Sequence, residues 1–217
     1  MVSASSAANL AALAAKQTAA AKANSTAKKK RKKNPPPPPS VISPLPCVVL
    51  SVDAAGNSGW AIWSRGRLRC YGECDVFGSA VDDVISQAAL IAEQEGLCLA
   101  LATERPFRIR FSNQTSIGAG EKIWREKAKR SGHFGSRFVR FYPSTWRSRT
   151  LGKGWGKKKR KEAREHEQEV ARAVARAAGY PVRVGEDAAP AILIGRCATY
   201  SGELARVLPK RAWKTAS

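Results

Sequence analysis

Apolar residues follow two rhythms along this chain, and the changes between them mark out its elements. Residues 47–53, CVVLSVD, are an almost unbroken apolar run, which predicts a strand covered on both faces. GWAIWSRG and RLRCYGECD follow, rich in β-branched and aromatic residues. A turn at Arg65 and Gly66 joins them, so the first three strands are expected to form an antiparallel meander. From Ser79 to Glu95 the spacing lengthens to that of a helix, with Val81, Val84, Ile85, Ala88 and Ile91 or Ala92 on one face and Ser79 with Asp82 as its N-terminal cap. Leu97 to Thr103 is again an apolar strand, and it ends on Glu104.

Farther on, the pattern predicts a helix over 116–129 and a strand over 137–142 that Pro143 stops. A long helix over 162–178 carries Val170 and Val174 on its apolar face, and a last apolar helix covers 187–198. The order β, β, β, α, β, α, β, α, α predicts an α/β domain with a mixed five-stranded sheet, an antiparallel meander plus parallel strands, flanked by helices. Residues 1–45 do not share this patterning. They are rich in Ala, Ser and Lys, with KKKRKK at 28–33 and prolines at 35–39, the composition of a disordered tail and a stiff linker. The expected division is thus a tail over 1–45 and one folded domain over 46–217.

Charge narrows the partners. The chain carries a formal +21, of which the tail contributes +8, so the folded part is itself basic at +13. A field of that sign attracts polyanions, and counterion release favours nucleic acid. A membrane surface is the rival, but no apolar run reaches the roughly 20 residues that span a bilayer, and the aromatic residues are scattered. The tail suits an organelle transit peptide, a nuclear-type basic signal or a DNA-binding arm, and no apolar stretch resembles a secretory signal. Five cysteines, an odd set without a CxxC pair, predict neither a disulfide framework nor a zinc site and suit a reducing intracellular compartment, whether a mitochondrion, chloroplast, nucleus or viral factory.

Candidate chemistry rests on acids placed where apolar strands end. An ionised carboxylate there is costly unless paired, and both Asp53 and Glu104 occupy such positions. With Glu186 and Asp187 opening the last helix, the acids supply the oxygen ligands that Mg²⁺ or Mn²⁺ prefers. The plainer alternatives are a turn at Asp53, a simple strand end at Glu104 and a helix cap at Asp187. Between residues 146 and 164 lie Arg147, Arg149, Lys153, Lys157, Lys158, Lys159, Arg160, Lys161 and Arg164 against the single acid Glu162, with Gly152, Gly154 and Gly156 interleaved. This reads as a flexible basic loop suited to a phosphate backbone, or as a solvated charge run. Trp155 within it could stack on an unpaired base or pack. His133 and His166 read as ordinary loop and helix residues, with His133 a candidate to lie near DNA.

In order along the chain, VVLSVDAAGNSGWAI, ALATERPF, SNQTSIGAGEKIW, YPSTWRSRTLGKGWGKKKRKEA and DAAPAILIG resemble the successive motifs of RuvC-like Holliday junction resolvases. The resemblance implies a ribonuclease H-like fold and a homodimer that cuts opposed strands of a four-way DNA junction with divalent metal and no small-molecule cofactor. It implies metal-binding roles for Asp53, Glu104 and Asp187. The family's second C-terminal acid falls on Pro190, so Asp187 or Glu186 would have to supply the third ligand. The resemblance also implies DNA contacts from Lys157, which could stabilise charge at the scissile phosphate, and from Arg147, Lys153, Lys158, Lys159, Arg160 and Lys161. Arg108, Arg110, Asn113 and Gln114 are further candidate contacts, with Phe107 and Phe111 as wedges or core residues. A broader branched-DNA or RNA·DNA hybrid nuclease and a non-catalytic junction-binding protein remain alternatives.

Overall fold

The computed structural model describes residues 43–105, 115–152, 154–180 and 183–209, with only the backbone of residues 115–117 and 157. The tail proposed over 1–45 lies almost wholly outside these residues. Five strands, β1 (Cys47–Asp53), β2 (Asn57–Ser64), β3 (Arg67–Asp75), β4 (Cys98–Glu104) and β5 (Phe138–Phe141), form one sheet in the order β3-β2-β1-β4-β5. The meander β1-β2-β3 is antiparallel, whereas β4 pairs in parallel with both β1 and β5. This is the expected mixed five-stranded sheet, an antiparallel meander plus parallel strands.

Position in the sheet accounts for each strand's composition. β1 lies between β2 and β4 and is covered on both faces, so its residues from Cys47 to Val52 are all buried. β3 is an edge strand, and its exposed Arg67, Arg69, Glu73 and Asp75 discourage pairing with a further strand. Arg65 (φ 49°) and Gly66 (φ 78°) are both left-handed, as the tight turns that match hairpin twist require.

Among the described residues, six α-helices accompany the sheet: α1 (Ala80–Gln94), α2 (Thr115–Ser131), α3 (Pro143–Thr150), α4 (Arg160–Ala177), α5 (Ala188–Thr199) and α6 (Gly202–Val207). One face packs Val48, Leu50, Val52, Leu99 and Leu101 against α1 and α2, with Trp124 and Phe134 fully buried. The other packs Cys47, Val49, Ala100 and Ala102 against α3, α4 and α5. Among the described residues, no helix is long and apolar enough to cross a membrane.

Several expectations need correction. Ser79 occupies the N-cap of α1, but its side chain makes no capping bond. Val170 and Val174 do lie on the packed face of α4, partly buried, but the most buried line beside them is Glu167, Ala171 and Ala175, since small residues let α4 pack closely. Pro143 ends β5 but also opens α3, which the pattern did not predict. A proline suits a helix's first turn, where its missing N–H costs nothing, and α3 buries only Trp146, too little to show a period. Half of the expected basic loop is therefore helical, with a 3₁₀ turn at Trp155–Lys157, and α4 begins at Arg160 rather than Glu162.

Candidate active site

Strand register brings the first two candidate acids together. β1 and β4 run in parallel with Val52 opposite Thr103, so Asp53 and Glu104 come next, side by side at the carboxyl ends of adjacent strands. Side chains alternate along a strand, which places both acids on the face of α3, α4 and α5. There Ser51 Oγ donates to the carbonyls of Ala61 (3.0 Å) and Ala191 (2.8 Å), tying β1 to α5. Gly59 pairs with Asp53 and lets the start of α5 press against β2: a Cβ at Gly59 would sit 1.6 Å from the Asp187 carbonyl oxygen.

Asp187 reaches the site this way, but its side chain does not cap α5. Its Oδ2 accepts from Asn57 Nδ2 at 2.6 Å. Glu73 on β3 serves the helix end instead, its Oε1 accepting from the backbone N–H groups of Asp187 (3.0 Å) and Ala188 (3.1 Å). Pro190 lies in the first turn of α5, where a proline's missing N–H is harmless, and the helix continues unbroken to Thr199.

The acids burden one another. The Asp53 carboxyl is pushed up to about 7, chiefly by burial and next by the Glu104 charge, with Asp187 and Glu167 adding to the effect and Arg147 opposing it. Glu104 is also raised by burial, opposed by Arg147 and by a hydrogen bond from Trp146. That bond, Trp146 Nε1 to Glu104 Oε2, spans 2.6 Å. Arg147 stands 3.8 Å from the same oxygen, donates through Nε to Glu167 at 2.6 Å, and lies over the rings of Trp146 (4.3 Å) and Trp155 (5.7 Å).

A cavity of about 330 Å³ opens above Asp53. Its walls carry the acids Asp53, Glu167, Glu186 and Asp187 together with Arg147, Arg160 and Arg164. Among the described residues, no three His, Cys, Asp or Glu side chains gather as a metal centre requires. The donors nevertheless suit a hard divalent ion in kind. Asp53 and Glu104 are adjacent carboxylates in partial burial, and the Asp53 carboxylate accepts no hydrogen bond from the described residues.

No family model matches the chain, and no curated protein does. Among solved structures, RuvC of T. thermophilus in complex with Holliday junction substrate is similar at 14% identity and a TM-score of 0.46, covering 69% of this chain and 90% of that one. A second Thermus thermophilus RuvC structure gives 14% and 0.45, covering 69% and 91%. The yeast mitochondrial Holliday junction resolvase Ydc2 gives 12% and 0.42, covering 79% and 85%. Similarities this distant leave function to the chemistry of the site itself.

The basic candidates divide. Lys158, Lys159, Arg160 and Lys161 are exposed, and Arg160 reaches the cavity. Arg147 is an ion-paired part of the cavity wall, and Arg149 pairs with Glu203 at 3.0 Å through two bonds. Arg108, Arg110, Asn113, Gln114 and Lys153, with Phe107 and Phe111, lie outside the described residues, as does the side chain of Lys157. Trp155 packs partly buried against the core. His133 sits with Leu97 and Cys98, at the end of β4 opposite Glu104. The five cysteines are free thiols.

Sequence reading missed Asn57, Glu73, Trp146 and Glu167. Only Glu167 left a signal. It precedes Ala171 and Ala175 by four and eight residues, so helical spacing puts a carboxylate on a buried line.

Proposed function

We propose that this chain is a divalent-metal-dependent, structure-selective endonuclease that resolves Holliday junctions by paired phosphodiester nicks. The observation that carries this reading is the cavity of mixed charge lined by Asp53, Asp187 and three arginines, with Glu104 beside Asp53 on the adjacent strand. Asp53 and Glu104 would hold Mg²⁺ or Mn²⁺, joined by Asp187 on leaving Asn57, with Glu186 exposed nearby as the substitute. A divalent ion there supplies an activated water and stabilises the leaving 3′ oxygen. Arg160 and Arg164 draw a phosphate into the cavity, and Lys158, Lys159 and Lys161 follow the backbone outside it. Lys153, Lys157, Arg108, Arg110, Asn113 and Gln114, named from the sequence alone, are further DNA contacts in this reading. A homodimer would present two such sites to opposed strands, with the basic tail as an added arm.

One observation favours a second reading, a junction-binding protein without catalysis: Asp187 is engaged by Asn57, and no three donors gather among the described residues. The deciding experiment offers a synthetic four-way junction, an RNA·DNA hybrid and plain duplex to wild type and Asp53→Asn, each with Mg²⁺ or EDTA. Symmetric, Mg²⁺-dependent cuts confined to the junction are expected, with Asp53→Asn slower by about a thousandfold or more and binding retained. Cutting of the hybrid as well would mark a broader nuclease. Tight binding with no Mg²⁺-dependent cutting would leave the binding protein.

A further inference from the structure

Glu104 is the one candidate metal ligand whose side chain is held by a neighbouring helix. Trp146 Nε1 donates to Glu104 Oε2 at 2.6 Å, and the guanidinium of Arg147 stands 3.8 Å from the same oxygen. Both donors lie on α3. Arg147 is fixed in turn: Glu167 on α4 accepts from its Nε at 2.6 Å, and two indole rings lie within 4.3 and 5.7 Å of its charge. Trp146 is fully buried, and Glu167 is only 7% exposed.

Such an arrangement is costly without a purpose. A buried carboxylate such as Glu167 must be paired to stay charged, and an arginine held by one acid and two rings loses the freedom that a phosphate-binding side chain needs. What the chain Glu167–Arg147–Glu104 achieves, together with the indole N–H, is to occupy one oxygen of Glu104 and leave the other to bind elsewhere. Asp53 is the neighbouring acid, so the remaining oxygen is the one available to an ion shared with it.

We propose that Trp146, Arg147 and Glu167 are positioning residues that fix the Glu104 carboxylate for divalent-ion binding. This rests on the nuclease reading above and assigns to α3, rather than to the exposed lysines, the task of orienting the ligand. Partners of this kind hold ligand geometry, and their loss typically costs about 10- to 100-fold in metal affinity or activity.

The test uses the full chain and two independent readouts. Mn²⁺ affinity is measured by calorimetry without DNA for wild type, Trp146→Phe, Glu167→Gln and Asp53→Asn, each checked for a wild-type thermal melt profile. Trp146→Phe keeps an aromatic ring in the pocket but removes the N–H, while Glu167→Gln loosens Arg147 and leaves Trp146 intact. Each should weaken Mn²⁺ by about tenfold or more. Four-way junction affinity in EDTA should stay within about twofold of wild type for Trp146→Phe, whose ring is fully buried away from the cavity, whereas Glu167 lines the cavity and its variant should bind the junction no more weakly than wild type, since it removes a negative charge from the phosphate's path. In parallel, the indole N–H resonance of Trp146, assigned by its absence in Trp146→Phe, should move upfield in Glu104→Gln as its charged acceptor is lost.

Wild-type Mn²⁺ affinity in both positioning variants, or an indole resonance indifferent to Glu104→Gln, would overturn the proposal. Absence of Mn²⁺ binding by wild type would instead overturn the metal-dependent reading of the whole site. The resonance arm still tells whether Trp146 holds Glu104. Should Trp146→Phe fail to fold, Glu167→Gln and the resonance carry the decision.

Discussion

The two faces of the sheet are built on different principles. Toward α1 and α2 the strands present Leu50, Ile62, Leu99 and Leu101, and with Trp124 and Phe134 these make a thick apolar layer. Toward α5 the same strands present Ser51, Gly59, Ala61, Ala100 and Ala102, and α5 answers with Ala188, Ala191 and Gly195. At Gly195 a Cβ would lie 2.2 Å from Trp63 Nε1. The first face keeps the sheet folded by volume. The second face uses close approach, which delivers the start of α5 to the level of Asp53 and confines every candidate acid to one side.

That contrast can be broken by exchanging the faces' failings. Leu50→Ala should lose about 2–5 kcal/mol of stability, measured by denaturant unfolding, yet its folded fraction should bind ions and junctions as wild type does. Gly59→Val should cost a comparable amount, about 3 kcal/mol or more from overpacking, and should also weaken Mn²⁺ binding, because even its Cβ would meet the Asp187 backbone and force the start of α5 to shift. If Leu50→Ala harmed ion binding more than Gly59→Val, the separation of roles would be wrong.

Titration sharpens the comparison, since Asp53 stands on the second face. Its carboxyl is raised to about 7 in the folded protein, so folding favours the protonated form. The resulting stability is fully present below the unfolded value of about 4 and is lost as pH rises through about 7. Without metal, wild type should therefore weaken between pH 4 and pH 8 relative to Asp53→Asn, by as much as about 4 kcal/mol. Mg²⁺ should restore much of that difference at pH 8. A difference independent of pH would mean that Asp53 carries no such burden.

The smallest effect belongs outside both faces. Replacing Lys158, Lys159 and Lys161 together by Ala should lower the slope of log affinity against log salt by at most about 0.9 per lost phosphate contact, without altering Mn²⁺ binding. An unchanged slope would make these lysines a solvated surface.

How much of this the sequence disclosed follows from what each element buries. β1, β3 and β4 were legible nearly to the residue, because strands in the middle of a covered sheet are apolar throughout and an edge strand alternates with charge. Asp53 and Glu104 were legible for the same reason, as acids ending such runs. Helix α3 was not, since one buried tryptophan among PSTWRSRT sets no period. Arg147 looked like one more charge in a basic run, and only tertiary packing shows it facing Glu167. Asn57 and Glu73 act across the fold on a helix 114 to 130 residues away, a separation that no local pattern encodes.

The hold of Glu73 on α5 bears on how a substrate must arrive. A helix's amino end carries partial positive charge from its aligned peptide dipoles and is a ready seat for phosphate. Here an acid from the sheet's own edge already fills that seat. An incoming phosphate must therefore find its positive charge in the arginines that line the cavity, and the edge strand has a say in the direction of entry.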